Sequence, residues 1–249
     1  CHVASSYLLQ GLNVLYITLE MAEERIAERI DANLLDVTME DLHDMPKQLY
    51  DGKIKKLREK TQGQLIVKEY PTASAHSGHF KSLINELALK KSFRPDVIFI
   101  DYLNICASSR FKGGNISSYF YIKAIAEELR GLAVEQNVPI FSATQTTRTG
   151  FVSTDIGLED TSESFGLPAT ADFMFALMSN EELEALGQMK VKQLKNRYND
   201  PSINRAFIIG VDRAKMRLYD VQQASQNIVD ANQTDEKEDA YNKFSDFKL

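Results

Sequence analysis

The chain has 249 residues, 43% of them hydrophobic and 26% charged, with a formal net charge of −6. That composition describes a globular chain, one domain with an appendage, and its acidic balance excludes a global pull toward nucleic acid, so any DNA contact has to come from local basic loops. No apolar run is long enough for a bilayer, no secretory signal opens the chain, and two cysteines, Cys1 and Cys106, are too few for a disulfide framework, so the expected compartment is a reducing cytoplasm.

Residues 1–10 read as helix closed by Gly11, and residues 13–19 as a buried strand. A charged amphipathic helix follows over 22–35, then a polar, helix-prone segment over 38–60 and a short strand over 65–69. Ser77 is placed to cap a helix running to about Lys91, and residues 96–101 form the next strand. After a polar loop over 107–117, Ile122, Ile125, Ala126, Leu129, Leu132 and Ala133 recur at helical spacing, and residues 138–144 follow as a strand with Pro139 near its start. Short strand candidates then lie at 173–178, 189–195, 206–211 and 216–221, joined by turns such as Asn199-Asp200-Pro201-Ser202. The expected fold class is α/β, a mainly parallel sheet with helices on both faces and an antiparallel carboxyl-terminal edge over 1–221. Residues 222–249 are acidic and poor in apolar side chains, so a flexible tail is expected there.

Three strand ends carry polar groups. Leu15-Tyr16-Ile17-Thr18-Leu19 runs into Glu20, Val97-Ile98-Phe99-Ile100 into Asp101, and Ile140-Phe141-Ser142-Ala143-Thr144 into Gln145. Ligands of open α/β sheets bind beyond the carboxyl ends of strands, so these three can meet in one crevice. Taken singly, each has an ordinary use: Glu20 as an acid at a helix start, Asp101 as a turn cap, Gln145 as a loop amide bonding local backbone. Lys195 and Arg197 are two apart on a predicted strand and share a face, which on its own is a solvated basic edge. The loops Ala107-Ser108-Ser109-Arg110-Phe111-Lys112-Gly113-Gly114 and Thr146-Thr147-Arg148-Thr149-Gly150-Phe151 pair cations with small residues, as a loop tracking phosphates requires. His76 and His79 have no cysteine nearby to complete a zinc set, and no zinc is expected. No Gly-x-x-x-x-Gly-Lys-Ser/Thr phosphate loop occurs in the 249 residues.

The series Leu19-Glu20-Met21, Asp101-Tyr102-Leu103, the strand ending at Gln145, residues 160–172 with Glu163-Ser164, and Lys195-x-Arg197 resembles the RecA-type motor domain of DnaB-family replicative helicases in order and spacing. Ile30-Asp31-Ala32-Asn33-Leu34-Leu35-Asp36, Lys123-Ala124-Ile125-Ala126-Glu127-Glu128-Leu129-Arg130 and Gly166-Leu167-Pro168-Ala169-Thr170-Ala171-Asp172-Phe173-Met174 are similar to the T-even bacteriophage members of that family. The resemblance spans residues 1–221 and departs where the family's first strand, phosphate loop and amino-terminal domain would stand. It implies that Glu20 polarises the attacking water, that Asp101 holds magnesium through water, and that Gln145 senses the γ-phosphate. Lys195 and Arg197 become a cationic clamp acting from a neighbouring subunit, and Arg110, Lys112 and Arg148 become single-stranded DNA contacts. Arg29, on the helix after Glu20, is expected to be structural, in a salt bridge. ATP and Mg2+ are the implied cofactors. The implied partners are single-stranded DNA, a hexameric ring of identical chains, a helicase loader and a primase, in the cytoplasm of a bacterial host and without a membrane. The 249 residues alone are expected to be inactive. A RecA-like strand-exchange ATPase and a noncatalytic RecA-like assembly module are the alternatives.

Overall fold

A computed structural model describes residues 1–111, 116–146, 157–158, 166–200 and 202–222. They form two units, the first made of residues 1–171 and 213–217, the second of residues 172–212 and those from 218 on. The first runs α1 (His2–Leu9), β1 (Val14–Thr18), α2 (Glu23–Leu35), α3 (Met39–Asp44), α4 (Lys47–Lys60), β2 (Leu65–Glu69), α5 (Ser77–Lys91), β3 (Val97–Asp101), α6 (Ser118–Gln136), β4 (Ile140–Ser142) and α7 (Gly166–Thr170). Its strands are all parallel, in the order β2-β1-β3-β4. In register, Thr18 stands opposite both Glu69 and Asp101, so these three strands end level.

Strand alternation decides which layer each apolar residue joins. Val14, Tyr16 and Val97 point to one face and pack on Ala4 and Leu8 of α1 and on Ile26 and Ile30 of α2. Leu15, Ile17, Ile98 and Ile100 point to the other, against Phe80, Ile84 and Leu87 of α5 and Ile122, Ile125, Leu129 and Leu132 of α6. β1 is buried along its whole length, as a central parallel strand covered on both faces must be. Each fully buried Ile or Leu contributes about 1.5–3 kcal/mol by leaving water. This is the mainly parallel, doubly covered sheet expected from the sequence.

Turns and caps set the element ends. Gly11, at φ +86°, supplies the left-handed step that lets the chain turn from α1 toward β1. The 38–60 segment is two helices, because Pro46 has no N–H to continue a ladder: α3 starts in a Thr38/Asp41 capping box, and Pro46 stands at the N-cap of α4. The cap of α5 is His76 rather than Ser77. The His76 ring Nδ1 accepts from Gly78 N at 3.0 Å, and the His79 ring Nδ1 accepts from His76 N at 3.2 Å. β4 is shorter than the 138–144 run because Val138 N closes α6 on Ala133 O and Ala143 O turns to Leu103 N. Cys1 and Cys106 are both free, and burial pushes the Cys106 thiol up to about 12.

The antiparallel strands of the last third form a sheet of their own. β5 (Phe173–Met178), α8 (Glu181–Ala185), β6 (Gln188–Asn196), β7 (Ala206–Asp212) and β8 (Arg217–Asp220) give the order β5-β6-β7-β8, with β6 antiparallel to both β5 and β7. Along β5, Ala176 and Met178 are buried while Phe173, Phe175 and Leu177 are exposed. The tail from residue 223 lies outside the described residues. Among the described residues no helix is long and apolar enough to cross a membrane.

Candidate functional site

Glu20 is carried by a turn fastened on both sides. The fully buried Thr18 hydroxyl accepts from Met21 N at 3.1 Å and donates to Met21 O at 2.8 Å. Leu19 N donates to Asp101 O at 2.9 Å, Tyr70 N to Thr18 O at 2.9 Å, and the Thr72 hydroxyl to Leu19 O at 2.7 Å. The backbone around Glu20 is thereby tied to the exits of β2 and β3, while the Glu20 side chain stands in solvent. The helix-start role open to such an acid is filled by Glu23 and Glu24, in the first turn of α2, and Glu20 precedes that helix.

Asp101 ends β3, beside Glu20 in the sheet order. The Tyr16 hydroxyl donates to Asp101 Oδ2 at 2.9 Å. Burial, and then the Asp101 charge and hydrogen bond, push the Tyr16 phenol well above its ordinary value, so it stays protonated and is a permanent donor. One carboxylate oxygen thus accepts a hydrogen bond from the protein. Among the described residues no group of three His, Cys, Asp or Glu is placed to enclose a metal. A lone, oriented carboxylate fits magnesium held through its water shell, since that ion dehydrates reluctantly and keeps several waters. Half-buried Arg29 makes no ion pair among the described residues, contrary to the salt bridge expected of it; its charge is felt instead at Tyr16, where it opposes the upward shift.

Gln145 leaves β4, the neighbour of β3, and its Nε2 donates to the Tyr102 hydroxyl at 3.2 Å. Thr144 Oγ1 donates to Asn104 Oδ1 at 2.8 Å and Leu103 N to Ala143 O at 3.1 Å, so the β4 exit is tied to the segment that follows Asp101. The strand order β1-β3-β4 therefore puts Glu20, Asp101 and Gln145 at the carboxyl ends of three adjacent strands.

Of the three loop cations, Arg110 is described, and Lys112 and Arg148 lie outside the described residues. The Arg110 guanidinium pairs with Glu127 on α6, and Lys123 Nζ lies 3.8 Å from the same carboxylate. The neighbouring Glu128 accepts from Ser77 Oγ at 3.0 Å, Ser108 Oγ at 2.6 Å, Ser109 N at 2.9 Å and Arg110 N at 3.4 Å. Burial alone would raise the Glu128 pKa, but these hydrogen bonds from Ser108, Ser109 and Ser77 outweigh it and hold the carboxyl below its ordinary range.

Lys195 and Arg197 belong to the second unit, apart from the one that carries Glu20. Lys195 stands in β6 opposite Met174. Arg197 follows the last residue of β6, Asn196, so strand alternation no longer sets its direction. Its N–H donates to Asp172 O at 3.0 Å and its guanidinium to Asp172 Oδ1 at 2.8 Å, a pair that is half exposed. An exposed pair of this kind is worth about 0–1 kcal/mol.

Sequence reasoning missed Tyr16, Thr18, Thr72 and Glu128. Tyr16 sits 85 residues from Asp101, and nothing local marks a tyrosine in an apolar strand as that aspartate's partner. Thr18, a hydroxyl ending a buried strand, was the one visible signal.

The DnaB-like helicase C terminal domain family matches residues 1–214. The chain is 48% identical over 228 residues to the DnaB-like replicative helicase of Enterobacteria phage T4, covering 90% of this chain and 48% of that protein. It is 35% identical over 143 residues to a probable plasmid replicative DNA helicase of Chlamydia trachomatis, covering 56% of this chain and 30% of that one. The chain thus spans about half the length of the phage relative and less of the chlamydial one. A solved DnaB-like replicative helicase, studied with its interactions with primase, superposes with a TM-score of 0.71 at 16% identity over 89% of this chain and 53% of that one. A second solved structure, an ATPase domain, gives 0.70 at 17% identity over 88% and 78%. These likenesses establish the RecA-like fold.

Proposed function

The chain belongs to the DnaB-like helicase C-terminal domain family, and on that premise we propose that it is the motor portion of a ring-shaped replicative DNA helicase, hydrolysing ATP to move along single-stranded DNA and open the duplex at a fork. The observation that carries this reading is the convergence of Glu20, Asp101 and Gln145 at three adjacent strand ends, each exit hydrogen-bonded to the next. Glu20 accepts the proton of the attacking water and aims it in line with the γ-phosphate. Asp101, held by Tyr16, would hold magnesium through its water shell, and the ion would supply charge neutralisation at the phosphates. Gln145 reports the state of the γ-phosphate to the segment after β4. The 249 residues hold no phosphate loop, so that cradle comes from sequence outside them, and alone they do not turn over ATP. Arg110, Lys112 and Arg148 contact DNA phosphates, and Lys195 and Arg197 act on a neighbour's nucleotide. A hexamer, a loader, a primase partner and the cytoplasm of a bacterial host complete the proposal.

The test is Glu20→Gln in the complete helicase that carries this chain. Hydrolysis should fall by roughly 10²–10⁴-fold, the contribution of a positioned general base, with ATP affinity nearly unchanged. Turnover at the parent rate would place the hydrolytic base elsewhere. Magnesium-dependent turnover by the isolated 249 residues, lost in Glu20→Gln, would show that the nucleotide cradle had been misplaced.

A further inference from the structure

The geometry points to Glu128 as a positioning residue that holds the base of the 107–111 loop, and with it Arg110, in a fixed relation to the turn carrying Glu20. The inference rests on reading that loop as a DNA contact. Glu128 lies on α6, outside both the strand ends and the loop it holds. Its carboxylate gathers donors from two separate segments: the Ser77 hydroxyl at the start of α5, and the Ser108 hydroxyl with the Ser109 and Arg110 amides in the loop. Hydrogen bonds to an ionised acceptor are roughly twice as strong as neutral ones, and several on one carboxylate fix a loop that neutral partners would leave loose.

The two segments are already joined in a continuous series. Ala73 N donates to Ile105 O at 2.9 Å and Ala107 N to Ala75 O at 2.8 Å. One residue upstream, Thr72 donates to Leu19 O, directly beside Glu20. From the Glu20 turn the connections therefore run through residues 72–77 to Glu128, and from Glu128 to the Arg110 amide. The Arg110 side chain is held separately, by Glu127 one position earlier on α6. Adjacent acids on one helix thus do different work: Glu127 holds the guanidinium that a DNA phosphate has to win, and Glu128 sets where that guanidinium stands. A double-mutant cycle measures the coupling between Glu128 and Arg110.

The experiment uses the complete helicase and four proteins: parent, Arg110→Ala, Glu128→Gln and the double variant. Single-stranded oligothymidine affinity is read across a salt titration, alongside ATPase with and without DNA. Glu128→Gln keeps the shape and loses the charge, and thermal unfolding confirms that each variant folds; Ser108→Ala, which removes one donor, serves if Glu128→Gln does not. Arg110→Ala should weaken binding and flatten the salt slope by about one phosphate contact. Glu128→Gln should weaken binding roughly tenfold, as loss of a charged hydrogen-bond acceptor does, and lower DNA-stimulated ATPase by more than the DNA-free rate. The double variant should be no worse than the more affected single one. Loss in Arg110→Ala with parent behaviour in Glu128→Gln overturns the positioning role and leaves the DNA loop standing. Parent binding in both removes the loop from the DNA contacts, and the inference falls with it. Loss in Glu128→Gln alone, additive losses in the double variant, or an equal fall in the DNA-free rate each contradict action through Arg110.

Discussion

The Glu20 turn and the end of β6 present charge under opposite conditions. Glu20 is exposed, but its flanking backbone is bonded to the exits of two other strands, and the turn closes on a fully buried threonine hydroxyl. Arg197 lies past the end of its strand, in a unit with exposed aromatic side chains, and its guanidinium pairs with a half-exposed aspartate. A carboxylate that must aim a water gains from a rigid mount, because misplacement of about 1 Å costs roughly 10²-fold. A cation that must reach a phosphate on another molecule gains from a weak partner it can leave. The difference matches the proposed division of labour, in which Glu20 acts within its own subunit and Arg197 on a neighbour's nucleotide.

The largest expected effect breaks the comparison on its exposed, cationic side. Arg197→Ala in the complete helicase should lower DNA-stimulated hydrolysis by roughly 10³–10⁵-fold, the contribution of a guanidinium delivered to a transferring phosphoryl group, with nucleotide binding largely intact. Lys195→Ala should cost less, since a flexible ammonium matches phosphate oxygens less well than a planar fork. Steady-state turnover against equilibrium nucleotide affinity checks both, and equal modest losses would return the pair to a solvated basic edge.

A smaller effect sharpens the rigid side. Tyr16→Phe removes one hydroxyl from a buried face and frees Asp101 Oδ2. Partners that orient a metal-holding carboxylate are typically worth 10–100-fold, so the apparent magnesium requirement for turnover should rise by roughly tenfold while the protein remains folded. An unchanged magnesium titration would mean that Asp101 needs no such support.

What was legible in the sequence follows the range of the interactions. The apolar run before Glu20 identified β1, because a central parallel strand has to be hydrophobic on both faces. The spacing of Ile122, Ile125, Leu129 and Leu132 identified the inner side of α6. Glu20, Asp101 and Gln145 were each readable as the residue at a strand end, and their convergence followed from the strand-end rule. Local rules failed where unusual chemistry took a common role, as when a histidine ring displaced Ser77 as the α5 cap. They also failed at contacts across the fold. The links between Tyr16 and Asp101, Thr72 and Leu19, and Glu128 and the serines of two segments carry no periodicity, and a single sequence contains no other trace of them. The independence of the second sheet was equally hidden, since four alternating strands read alike whether they extend a sheet or form one.

The central claim is that hydrolysis needs Glu20 from one subunit and Arg197 from its neighbour. Rings assembled from a mixture of Glu20→Gln and Arg197→Ala subunits test it most directly, because some interfaces then pair an intact Glu20 with a neighbour's intact Arg197. Each variant alone should be nearly inactive, and the mixture should recover DNA-stimulated ATPase, highest near equal proportions. Absence of recovery at every mixing ratio, in rings shown by mass measurement to contain both subunits, would contradict the claim.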